Sequence, residues 1–235
     1  MMTQDLSIGR LKNSGAATLL LVTLYVVGGL SDAVASAAPA ATAPAPAGQY
    51  QLDKAHASLQ LRVSHLGFST YTTRFSRFDA QLTFDPNNLP RSKLTASIDA
   101  ASLEMDAAPQ MCIDIVKGTQ FLDVAKFPKI AFRSEKIRMT GPKAFEISGT
   151  LDLHGVTRPL VLTGTYNGGY AGLANMDPHA RVGFSARGTL KRSDFGMVFG
   201  VPAPGTTMGV GDRIDIAIEA EFTGPPLADA GGAAH

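Results

Sequence analysis

The chain has no tryptophan and a single cysteine, Cys112. One cysteine excludes an intramolecular disulfide and any multi-cysteine zinc or iron–sulfur site, so neither a disulfide scaffold nor a thiol redox motif is available. An excess of charge of either sign is also missing: 21 Lys and Arg stand against 20 Asp and Glu in 235 residues. No surplus of positive charge remains to neutralise a phosphate backbone, which argues against nucleic acid as a partner. Long apolar runs are absent too. Ala16 to Leu30 has 15 residues and includes Thr18, Thr23, Gly28 and Gly29, short of the roughly 20 that span a bilayer. There is no Gly-x-Ser-x-Gly, and Gly196, Gly200, Gly205, Gly209 and Gly211 lack the spacing of a phosphate-cradling loop,.

What is present begins with Arg10 and Lys12, the apolar run, and then small residues around Ala33-Val34-Ala35. That order predicts a cleaved secretory signal peptide over residues 1–35 and hence a periplasmic location. In an oxidising compartment the lone thiol of Cys112 is either buried or open to an intermolecular bond, and a buried thiol is the expectation. Residues 36–48 are an uncharged Ala/Pro-rich tract that reads as a linker,. Residues 49–224 form one domain, and 225–235 are a flexible small-residue tail.

Inside the domain the apolar period is two. Leu59, Leu61 and Val63 alternate with Ser58, Gln60, Arg62 and Ser64, the pattern of a half-buried strand,. The same alternation recurs at Phe78 to Phe84, Leu94 to Ile98, Ile130 to Phe132, Phe145 to Leu153, Leu160 to Leu162, Val182 to Leu190 and Ile214 to Phe222. With a possible short strand at Ile137 to Thr140 counted as part of a hairpin, the total is about eight. Only Ala108 to Val124 breaks the rhythm, with Met111, Ile115 and Val116 at helical spacing and Pro128 barring continuation,. Many strands with short connections predict an all-β antiparallel barrel or sandwich. An eight-stranded barrel is filled by side chains or holds one slender ligand.

Catalytic and metal chemistry finds little local support. No two of His56, His65, His154, His179 and His235 have metal-site spacing. His65 shares the parity of Leu61 and Val63, so its imidazole either points inward toward a ligand head group or is satisfied within the core. His154 lies between two strands and reads as a turn residue. His56 follows Asp53 by three, close enough for a local hydrogen bond. Cys112 has no neighbouring His to activate it. Ser193 to Asp212 is a long, apolar, glycine-rich loop. It reads either as a flap over one barrel end, with Met197 and Phe199 at an entrance, or as ordinary core closure. Lys191 and Arg192 at its base, with Arg74 and Arg77, are candidates to receive an anionic head group, solvated cations being the alternative.

Seven segments in order carry a family resemblance: Tyr50-Gln51-Leu52-Asp53, His65-Leu66-Gly67-Phe68-Ser69, Phe84-Asp85-Pro86, the run Phe121 to Ser134, Leu153-His154-Gly155-Val156-Thr157, Lys191-Arg192-Ser193-Asp194-Phe195-Gly196-Met197, and Val210-Gly211-Asp212. Together they resemble the YceI-like family of secreted polyisoprenoid-binding proteins. The resemblance implies an eight-stranded antiparallel, lipocalin-like barrel with a short helical cap, whose apolar cavity binds an isoprenoid or similar lipid, often as a homodimer. The sequence departs from the family pattern at Thr73, at Ala57, and at Ile115, where a His commonly follows the acid matched by Asp114.

The resulting expectation is a carrier or sequestering protein for a long-chain isoprenoid, quinone or polyprenyl in type, with no obligatory cofactor, no metal and transient contact with membrane or membrane proteins. Leu61, Val63, His65, Phe84, Phe184, Met197 and Phe199 are the expected ligand contacts. Two alternatives stand beside it: a dry-core barrel serving as an interaction module in envelope stress or respiratory assembly, and, with less in its favour, a lipid-modifying enzyme.

Overall fold

The structure, a computed structural model, describes residues 43–174 and 176–227. The expected signal segment, residues 36–42 of the expected linker and residues 228–235 of the expected tail lie outside them. Ten strands follow one another: β1 (Gly48–His65), β2 (Ser69–Phe75), β3 (Phe78–Phe84), β4 (Lys93–Asp99), β5 (Leu103–Glu104), β6 (Lys129–Met139), β7 (Ala144–Leu153), β8 (Val156–Tyr170), β9 (His179–Lys191) and β10 (Val210–Pro226). One helix, α1 (Gln110–Lys117), sits between β5 and β6.

The ten strands make eight staves. The outer half of β1 pairs with β2 and its first residues pair with β3, so β2 and β3 are one stave broken at Ser76-Arg77. In the same way β4 pairs with β3 and the short β5 with β2. Every pairing is antiparallel, staves consecutive in the chain are neighbours in the sheet, and β10 pairs back onto β1. The result is a closed up-and-down barrel of eight strands, which leaves no sheet edge exposed.

Alternation puts the apolar residues inside. Phe145, Ile147, Leu151 and Leu153 of β7 are buried, as are Ile216, Ala220 and Phe222 of β10. The intervening Glu146, Ser148, Asp152, Asp215 and Glu219 belong to the outer parity,. Gly149 breaks the inward series of β7 because Phe132 fills its place: a Cβ there would come within 2.7 Å of the Phe132 ring.

Several elements differ from the pattern reading. Residues 129–139 are one strand, and the expected hairpin at Ile137 to Thr140 is the second half of β6 beyond a register shift at Ser134–Lys136. β2 escapes a hydropathy reading because its sequence STYTTRF is mostly hydroxyls, although its β-branched and aromatic residues suit a pleated surface,. The helical region shortens to eight residues, and residues 119–128 continue as turns. The end of the Ala/Pro tract is seated on the barrel: Ala45 is buried, the Ala171 N–H donates to the Ala43 carbonyl at 2.9 Å, and the Tyr50 hydroxyl donates to the Pro46 carbonyl at 2.7 Å.

Candidate functional site

The barrel is hollow. A cavity of about 790 Å³ runs inside it, walled almost wholly by apolar side chains. Inward-facing Leu59, Leu61, Val63, Leu94, Phe184, Ile214 and Ile218 are only half-buried, although their parity points them into the barrel. Their exposure is to the cavity, where a filled core would have covered them.

One end is plugged. Phe84 packs on Tyr50, Tyr166 and Phe184, and Phe184 on Phe145, Tyr166 and Phe222, with ring centroids 5.4–6.2 Å apart in edge-on or tilted geometry. Such contacts add to area burial and close the tube with rigid side chains. The Tyr50 hydroxyl lies deep enough that burial, with Tyr166 adding to it, pushes its pKa up to about 12.

The opposite end is open. The cavity-lining residues that are exposed to solvent include His65 and Ser69 of the β1–β2 hairpin, Asp106, Ala107 and Pro109 before α1, and Phe199. They mark the mouth. α1 roofs part of it, turning Cys112, Ile115 and Val116 to the cavity. Ile115 therefore gives the cap an apolar inner face at a position where the family pattern expects His. Cys112 is a half-buried wall residue, not the fully buried thiol expected.

The loop from Gly196 to Gly209 forms the other side of the mouth and is held by Arg192. That side chain is 3% exposed. It donates to the carbonyls of Met197 (2.6 Å), Phe199 (2.9 Å), Val210 (2.7 Å) and Gly211 (3.0 Å) and lies 5.0 Å over the Phe121 ring. Burial lowers its pKa, with Asp212 opposing. Arg192 is thus an anchor whose donors are spent on the loop backbone, and it does not serve the head-group role raised for it. Arg74 and Arg77 are likewise engaged, with Glu104 at 2.7 Å and Asp99 at 2.8 Å. Lys191 remains exposed.

All seven expected contact residues stand on the cavity wall. Leu61 and Val63 line its β1 side, His65 and Phe199 its mouth, Met197 the loop beneath, and Phe84 and Phe184 its plugged end. Sequence reasoning missed the contribution of β2 (Tyr71, Thr73, Phe75) and the aromatic partners of the plug. The Tyr71 hydroxyl donates to the Asp106 carbonyl at 3.3 Å and ties the mouth's two lips together.

His154 and His56 act locally. His154 and Gly155 both have positive φ, 53° and 72°, making the two-residue turn between β7 and β8,. His154 Nδ1 is 2.9 Å from the Phe195 carbonyl, and its ring packs edge-on against Phe127 at 4.8 Å. On the outer wall, β1 bulges: between Leu52 and Ala57 four residues stand against one, Glu221, on β10. The bulge carries Asp53 and His56, whose side chains meet at 2.9 Å. With Glu221 they form a group close enough to ligate a metal ion. The Arg181 guanidinium already engages its carboxylates, bonded to Asp53 and Asp177 and 3.7 Å from Glu221. His56 and Arg181 hold the Asp53 carboxyl well below the usual range.

A closed eight-stranded barrel with a hollow apolar interior, one aromatic plug and a helix at the mouth has clear relatives. A family model, the YceI-like domain, matches residues 50–222. The chain belongs to the YceI-like family. It is 35% identical over 179 residues to a UPF0312 protein of Pseudomonas putida, covering 74% of this chain and 87% of that one. A UPF0312 protein of Vibrio cholerae is 30% identical over 181 residues, covering 75% and 88%. Among solved structures the YCEI protein of Campylobacter jejuni aligns with TM-score 0.58 and 26% identity over 69% of this chain and 90% of that one. The fold is shared with BcnA of Burkholderia cenocepacia (TM-score 0.62, 22% identity, 72% and 98% covered). It is shared also with a polyisoprenoid-binding domain of Saccharophagus degradans (TM-score 0.53, 13% identity, 75% and 98% covered). In this YceI-like barrel the matched region runs from Tyr50 of the plug to Phe222 of β10, so it contains the entire described cavity.

Proposed function

We propose that this YceI-like chain carries or sequesters a long-chain isoprenoid lipid, of quinone or polyprenyl type, in the barrel cavity, and that it does so in the periplasm after loss of its N-terminal segment. The observation that carries the reading is the apolar tube of about 790 Å³, closed at one end and open at the other. Allowing about 30 Å³ per heavy atom, the tube takes on the order of 25 carbons. Each buried methylene contributes roughly 0.8 kcal/mol, so tail burial dominates affinity even after ordering costs are deducted. A tube of this kind discriminates weakly between tails that differ by one methylene.

The polar groups near the mouth are few, and they suit orientation of a head group. His65 and Ser69 are the exposed ones on the inward parity, while the Tyr71 hydroxyl and the Arg192 guanidinium are spent on backbone carbonyls. Binding, rather than chemistry on the lipid, is the function we assign to this wall. The dry-core module is disfavoured because Phe84 and Phe184 pack together at one end and leave the rest of the tube unfilled. The sequence relationship to the family and the fold shared with a polyisoprenoid-binding domain support the ligand class.

The test is organic extraction of protein purified from its own host, followed by lipid mass spectrometry. One isoprenoid amphiphile per chain, or per small number of chains, is the expected result. Repeated recovery of protein with no stoichiometric amphiphile ends the carrier reading.

A further inference from the structure

A carrier must exchange its cargo somewhere, and the side chains around the mouth indicate where. Eight large hydrophobic residues are strongly exposed among the described residues, and five of them gather at the open end: Phe68 (80%), Met111 (69%), Val198 (63%), Met208 (62%) and Phe199. They form one rim. The β1–β2 turn is tied to the loop by the Leu66 N–H donating to the Gly209 carbonyl at 2.8 Å and by the Thr207 hydroxyl donating to the Leu66 carbonyl. Phe199 packs on Phe121 at 5.8 Å, which joins the loop to the segment after α1. Apart from Phe199, none of the five lines the cavity, so cargo binding does not account for their exposure.

Two of the rim's three segments are also uncharged; in the third, the exposed Asp106 and Asp114 stand either side of Met111. From Val63 to Thr73 and from Phe195 to Gly211 there is no Asp, Glu, Lys or Arg, in a chain where 17% of residues are charged. At that average, about five charges would fall in these two segments, and their absence removes the main cost of entering a hydrocarbon phase. The outer wall of the barrel is the opposite: Arg181, Arg187, Glu146, Asp152, Glu219 and Glu221 project from it, which excludes a lipid-facing wall of the kind spanning barrels have. Contact with lipid is thereby confined to the tips. Behind these segments stand the exposed Arg62, next to Val63, and Lys191, four residues before Phe195, neither with an ion pair among the described residues; the exposed Asp194 adjoins Phe195. Cations at this depth suit the head groups of anionic lipids.

We infer that the rim of Phe68, Met111, Val198 and Met208 docks on the surface of an anionic bilayer, setting the mouth of the tube against the lipid so that cargo passes without crossing water. This rests on the carrier reading for its purpose, but the surface can be tested apart from it. The full chain would be mixed with vesicles of phosphatidylethanolamine and phosphatidylglycerol, floated, and compared with a Phe68→Ser/Met208→Ser variant. The apolar run Ala16 to Leu30 is common to both, so the difference between them reads the rim.

Expected are a fall in vesicle partitioning on the order of tenfold or more in the variant, unchanged uptake of a fluorescent polyprenyl probe, and transfer of that probe from the parent chain at a rate that rises with vesicle concentration. Equal flotation of parent and variant overturns the inference. So does transfer at a rate independent of vesicle concentration, or a parent dimer that the two substitutions dissociate without altering flotation, which would make a second copy the occupant of the rim. A rim-dependent difference in flotation in a chain that takes up no probe supports docking while it removes the carrier reading.

Discussion

Arg192 is buried, charged and paired with no carboxylate at bonding distance, and it is tolerated because four backbone carbonyls take its donors. A planar fork reaches several acceptors that an ammonium cannot. Arg192→Lys is expected to cost about 2–4 kcal/mol of stability, since carbonyls and a charge are left without partners. Amide hydrogen exchange should accelerate through residues 196–211, and an unchanged exchange pattern would show that the loop is held by something else. His56 is the second informative residue. Its pKa is raised above the ordinary 6.5 first by the hydrogen bond to Asp53, then by the charges of Asp53 and Glu221, with Arg181 opposing. A raised histidine pKa stabilises the fold fully below the unfolded value of 6.5, and the contribution fades as pH rises through the folded value,. Asp53 is depressed, so its contribution is present above 3.8 and is lost as pH falls through its folded value. The pair therefore acts across mildly acidic pH. An NMR titration should place the His56 midpoint above 6.5, and Asp53→Asn should bring it back toward that value.

At the scale of elements, the strands that alternate cleanly were legible and those that do not were missed. Leu59, Leu61 and Val63, or the isoleucines of β10, announce one buried face because a period of two is the geometry of a pleat. β2 offers Thr70, Thr72 and Thr73, hydroxyls that neither hide nor announce a face. The Ala/Pro tract looked unable to fold because it has no large side chain; its last residues are held instead by backbone groups and by Tyr50, which composition does not report. The seven cavity residues followed from parity and motif, whereas the engagement of Arg192 needed five carbonyl and ring positions that lie up to 71 residues away in sequence from it, as Phe121 does. Parity also supplies a sharp test. Leu61→Asp places a charge too short to escape into the half-buried wall of the tube. It should abolish lipid loading while the mouth hydrates the carboxylate and the fold survives at a cost of about 1–3 kcal/mol. Gln60→Asp, one residue away on the outer face, should load normally. Mass spectrometry of the two variants after identical purification distinguishes them, and a loaded Leu61→Asp protein would mean that the inward face has been misassigned.

For the whole molecule, the hollow interior means that stability and occupancy are linked. Apolar walls that face a void forgo the contacts a filled core would make. A ligand that binds only the folded barrel adds about 2.7 kcal/mol at a concentration one hundred times its dissociation constant. For a domain of this size that corresponds to a rise in melting temperature of about 5–10 °C. Calorimetry before and after delipidation should show it, and equal melting temperatures for verified loaded and empty protein would contradict a ligand housed in the tube.

The pairing of β10 with β1 also dictates a timetable. Every other junction of the barrel joins staves that are consecutive in the chain, and each can zip as soon as its second member is in place,. The β1–β10 seam alone brings Gln51 to Thr223, and it includes ten matched residue pairs. Until the last strand has joined, the first one keeps a raw hydrogen-bonding edge, and the open sheet is a curved ribbon with its apolar face uncovered. The final seventeen residues of β10 therefore act as the latch that turns an aggregation-prone intermediate into a vessel,.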